Sequence, residues 1–62
     1  MTTAIRFVLE STGHTALLVK RADHIPREGD VIAIEGYLPM RAMLIRWIYE
    51  TDGARVTVML RD

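Results

Sequence analysis

Apolar and polar residues alternate from Thr3 to Glu10. Ile5, Phe7 and Leu9 fall on one face and Arg6, Val8 and Glu10 on the other, the two-residue period of a half-buried strand. Ile5, Val8 and Leu9 could also make a helical stripe, but the β-branched and aromatic content favours a strand. Ser11-Thr12-Gly13-His14 reads as a turn, and Thr15 to Arg21 as a second strand. Its consecutive Leu17, Leu18 and Val19 make both faces apolar. This predicts that both are covered, one by the core and one by a partner or second layer.

Ala22 to Asp30 is the one long polar connection. Pro26 removes a ladder donor there, and Gly29-Asp30 leads tightly into a third strand, Val31 to Glu35. Gly36-Tyr37-Leu38-Pro39 ends that strand in a loop or bend. The last third reads as a β-hairpin, Met43 to Glu50 and Arg55 to Arg61. With Asp52-Gly53 as the central pair of a type I′ turn, Glu50 faces Arg55, Trp47 faces Val58 and Leu44 faces Arg61. Met43, Ile45, Trp47, Tyr49, Val56, Val58 and Leu60 then form the core side.

The outer side of the hairpin mixes Leu44, Ile48 and Met59 with Arg46, Arg55 and Arg61. Three apolar side chains in one ladder, flanked by arginines, have the make-up of an interface. Leu44, Ile48 and Met59 are therefore expected as apolar partner contacts, with Arg46 and Arg61 at the rim.

Length sharpens this expectation. At 62 residues the chain reads as one domain spanning residues 1–62, near the size where a single core only just offsets chain entropy. It has no cysteine, hence no disulfide or thiolate metal site, and oligomerisation becomes a natural source of support. Eight basic and eight acidic residues cancel, so a polyanion could be held only by a local basic patch. Seven of the eight basic residues are arginine, a residue enriched at interfaces. No apolar run approaches the roughly 20 residues of a membrane span. Met1-Thr2-Thr3 leads into a strand pattern without a charged n-region or cleavage site, so no signal peptide and a cytoplasmic location are expected.

Five short strands, Gly/Pro punctuation and no helical segment predict an all-β fold, a small barrel or two packed antiparallel hairpin layers. From Pro26 onward, Gly29-Asp30, Ile32, Ile34, Gly36, Ile45, Trp47 and the closing Arg55-Val56, Val58 and Leu60 resemble the second half of SH3-like small barrels, loosely of the KOW type. The resemblance covers about the last 37 residues. It departs at Pro39-Met40-Arg41-Ala42, where the KOW pattern places further glycines, so it implies only a five-stranded SH3-like barrel topology, and the nucleic-acid contacts of KOW domains are not carried over to any residue.

Chemistry has few footholds. Ser11 and His14 share a turn, but no orienting acid or oxyanion hole is marked in the sequence. His14, Asp23, His24 and Asp30 fall at no metal-ligand spacing, and Asp30 is expected to accept backbone N–H bonds instead. The four glycines are single, so no phosphate-cradling loop exists. The expectation is a non-enzymatic protein-interaction module that self-associates through the outer hairpin face or an exposed edge strand. No cofactor, metal, membrane or small-molecule substrate is expected. The alternative is a nucleic-acid-binding barrel using Arg41, Arg46, Arg55 and Arg61, with Tyr37 stacking on a base.

Overall fold

Residues 2–62 are described by a computed structural model. Five strands, β1 (Thr2–Leu9), β2 (Thr15–Val19), β3 (Val31–Ile32), β4 (Met40–Glu50) and β5 (Gly53–Arg61), form one sheet in the order β2-β1-β5-β4-β3. The sheet curls through 234° into a half-barrel. Neighbours are antiparallel except β1 and β5, which run parallel in unbroken register from Thr2 opposite Gly53 to Leu9 opposite Leu60.

The alternation in β1 and β5 fills the concave side. Ile5, Phe7 and Leu9 meet Val56, Val58 and Leu60, and Met40, Ala42 and Ile34 close the group. Each large aliphatic side chain sealed from water here contributes on the order of 1.5–3 kcal/mol. The connection from β2 to β3 joins opposite edges of the sheet, and Ala22 and Ile25 within it pack on the core. It is tied at both ends: the Ala22 N–H donates to the Thr3 carbonyl (2.9 Å), and the Gly29 N–H donates to the Ala42 carbonyl (2.7 Å). A tight turn closes Arg27 to Asp30. Gly29 takes φ 95° there, and the Asp30 carboxylate accepts the Arg27 N–H at 2.9 Å, the backbone-accepting role expected of it.

The closing hairpin differs from the sequence expectation in its turn. Glu50 pairs with Gly53, so Thr51 and Asp52 are the central residues, and neither of them has positive φ. A type I′ turn needs positive φ at both central positions, which excludes it. Moving a two-residue turn by one place changes every partner by two. Trp47 therefore faces Val56 rather than Val58, while the sorting of side chains to the two faces survives. A β-bulge between Ala42 and Leu44 makes Met43 the extra residue and turns Ala42 and Met40 into the core, where the sequence reading had placed Met43.

Two further expectations are corrected. Trp47 and Tyr49 lie on the concave side but outside the packed interior, 43% and 77% exposed, because Ile32 and Ile34 cover the opposite end of β4. β2 is an edge strand, and Leu17 and Leu18 are exposed instead of covered on both faces.

Candidate functional site

The convex face of the sheet is built by the residues that alternate with the core. Register sets them in rows across four strands. Leu18, Arg6, Thr57 and Arg46 form one row; Ala4, Arg55 and Ile48 lie on one side of it, and Val8, Met59 and Leu44 on the other. Arg61 stands beyond, opposite Arg41. Val8 is buried and Met59 half-buried among these neighbours, whereas Leu18, Leu44 and Ile48 are 59%, 43% and 40% exposed. A groove of about 150 Å³ is lined by Ala4, Arg6, Leu18, Ile48, Arg55 and Thr57.

All five residues expected at a partner interface stand on this face. Leu44 and Met59 are cross-strand partners, Ile48 lies one row past Arg46, and Arg61 follows Met59 toward the far end. The sequence reading missed the half contributed by Arg6, Val8 and Leu18. The apolar run Leu17-Leu18-Val19 was its signal, but only the parallel β1–β5 pairing places those residues beside the hairpin.

The charges on this surface are mostly partnered. Arg55 Nε lies 3.2 Å from Glu50 Oε2, and Arg61 Nε lies 3.9 Å from Glu10 Oε2. Arg6 Nε donates to Thr15 Oγ1 at 2.9 Å, and Arg41 Nη1 donates to the Gly29 carbonyl at 2.7 Å. Arg46 makes no side-chain hydrogen bond or ion pair among the described residues. It is the unengaged cation of the row.

Away from this face, the Ser11 hydroxyl donates to Asp62 Oδ2 at 2.5 Å and the Ser11 N–H to Asp62 Oδ1 at 3.2 Å. That hydroxyl hydrogen bond is the main reason the Asp62 carboxyl sits below its ordinary value, with desolvation opposing it and the backbone N–H bonds adding to it. Ser11 is thus engaged in tying the β1–β2 turn to the end of β5. Among the described residues no three His, Asp or Glu side chains gather as a metal site would require.

These features define an all-β half-barrel with an uncovered convex face on which aliphatic side chains and arginines are interleaved. The chain matches no known protein-family model, and no curated protein or solved structure matches it.

Proposed function

We propose that the chain is a non-enzymatic protein-interaction module that self-associates. The observation that carries this reading is the single-layered sheet. Its convex side presents Leu18, Leu44 and Ile48 to water, and no second layer packs over them among the described residues. Isolated exposed aliphatics are ordinary, but Leu18, Leu44 and Ile48 interleaved with arginines on one face fit the composition of an interface. Leu44, Ile48 and Met59 supply apolar contact, and Arg46 and Arg61 supply the rim. An SH3-like kinship belongs to the same proposal, supported by the Gly29-Asp30 step into β3, Gly36 after it and the Val56, Val58, Leu60 alternation of β5.

Sedimentation velocity at tens of micromolar tests the reading. The wild-type chain should sediment as an oligomer and Ile48→Glu as a monomer; a wild-type monomer across that range defeats it. A nucleic-acid role is the second reading, favoured by the free guanidinium of Arg46 in line with Arg6. It is weakened because Arg55 and Arg61 are paired with Glu50 and Glu10. A gel shift on single- and double-stranded DNA and RNA that weakens with salt and with Arg46→Ala is its required result. No shift at low salt disposes of it.

A further inference from the structure

A sheet that does not close has free edges, and natural proteins blunt them. β2 is five residues long, carries a bulge and runs into Lys20. β3 has two residues, flanked by loops that contain Pro26 and Pro39. The remaining edge is different. β3 pairs only with Met40 and Arg41, and Gly29 and Asp30 bond Ala42. From residue 43 to residue 50, β4 bonds β5 on one side and no other segment on its second side among the described residues. No Pro, Lys or Gly interrupts that stretch.

Which groups point outward follows from the ladder. The Glu10 N–H donates to the Leu60 carbonyl, so Leu60 faces β1, and by alternation so do Val58, Val56 and Ala54. Gly53, Arg55, Thr57 and Met59 therefore bond β4 through Glu50, Ile48, Arg46 and Leu44. The N–H and C=O groups of Ile45, Trp47 and Tyr49 are left facing the open edge.

We propose that a second copy of the chain adds to this edge, β4 antiparallel to β4 about a two-fold axis at Ile48, forming one continuous ten-stranded sheet. The inference rests on the self-association reading and places the contact at the exposed edge strand instead of across the convex face. Side-chain chemistry selects the register. An axis at Arg46 sets two guanidiniums against each other, and an axis at Trp47 sets both charges of the strand against aliphatic side chains, Arg46 against the partner's Ile48 and Glu50 against the partner's Leu44. An axis at Ile48 pairs Ile48 with the partner's Ile48 and Arg46, the unengaged cation, with the partner's Glu50. Glu50 binds its own Arg55 through Oε2, which leaves Oε1 for the partner's Arg46. Trp47 and Tyr49, stacked with centroids 5.9 Å apart, then lie opposite the partner's Tyr49 and Trp47. Both of these pairs are hydrogen-bonded ones, because the outward backbone groups belong to the odd-numbered residues. The exposure of the two aromatic rings thereby acquires an occupant.

Three variants of the full chain test the pairing by sedimentation. Arg46→Glu opposes like charges twice across the axis and should weaken the dimer at least about tenfold. Adding Glu50→Arg to it should restore affinity to within about threefold. Tyr49→Pro removes an outward N–H that β5 does not use, and should abolish the dimer while leaving the far-UV circular dichroism of the fold. Ile48 and the partner's Ile48 form a non-hydrogen-bonded pair, with Cα atoms about 4.5 Å apart, within disulfide reach. Because the chain has no cysteine, Ile48→Cys should give a single oxidised dimer band and Met59→Cys should not. A dimer that survives Tyr49→Pro and fails to cross-link through Ile48→Cys overturns the edge pairing but leaves self-association through another surface. A monomeric wild type overturns both.

Discussion

Leu60→Ala and Trp47→Ala together test the interior described above, because side-chain size alone predicts the wrong order for them. Leu60 is fully buried and Trp47 is 43% exposed. Truncating a packed leucine costs about 2–5 kcal/mol, the transfer term plus a cavity that the neighbours do not fill. Here the cavity would open between Leu9 on β1 and Ala42 on β4, both of which are held by ladder hydrogen bonds. Truncating a packed tryptophan costs about 3–5 kcal/mol. With nearly half of the side chain in water and little cavity to leave, we expect about 1–1.5 kcal/mol for Trp47. A 62-residue chain has roughly 3–9 kcal/mol of stability in all, so Leu60→Ala should leave it close to unfolded at room temperature, with a Tm lowered by more than about 10 °C. The assay is urea unfolding followed by far-UV circular dichroism, at two protein concentrations tenfold apart so that association can be subtracted by mass action. The reasoning fails if Trp47→Ala costs as much as Leu60→Ala at the lower concentration, since Trp47 would then belong to the interior.

Other consequences are measurable one by one. Ser11→Ala should return the Asp62 carboxyl to about its ordinary value, read from its NMR titration. The folded value is depressed, so the tie to Ser11 is present above the unfolded pKa of 3.8 and is lost as pH falls through the lower folded value. An unchanged titration would remove the hydrogen bond as its cause. Gly29→Ala meets no neighbouring atom but must hold φ near 95°, so it should destabilise by roughly 1–2 kcal/mol through backbone strain alone. A neutral effect in urea unfolding would mean that the Arg27 to Asp30 turn rearranges. The Glu50–Arg55 pair is exposed on both sides, and a double-mutant cycle should give a coupling below about 1 kcal/mol that shrinks with added salt. A coupling insensitive to salt would show the pair to be shielded from solvent.

Much of the fold was legible in local pattern, and its failures have definite physical causes. The alternation of Ile5, Phe7 and Leu9 and of Val56, Val58 and Leu60 assigned the core face of the two central strands. The hairpin kept its face assignment although its turn moved, because such a shift conserves parity. The bulge at Met43 carried no Gly or Pro to announce it, so Met40 and Ala42 were not recognised as core residues. Parity also tells which way Trp47 and Tyr49 point without telling whether anything lies over them, and their exposure depends on where β3 stops. The five expected interface residues were placed on one face by the hairpin alone. Arg6, Val8 and Leu18 joined them only through a pairing between segments far apart in the chain, which leaves no short-range trace.

That pairing has a kinetic consequence. Every β1–β5 contact joins positions 51 residues apart, as in Thr2 with Gly53, yet it forms the middle of the sheet. The β1–β2 and β4–β5 hairpins can close locally within microseconds, whereas the seam between them must bear the largest loop-closure entropy in the chain. During synthesis β5 emerges after the other four strands and must insert between two strands already made. Until it does, β1 and β4 each present an unpaired inner side, and the vulnerable interval for misassembly lasts as long as β5 is missing. A slow final phase of refolding, retarded by Val56→Ala and Val58→Ala but not by substitutions in β2, is the rate signature of this topology.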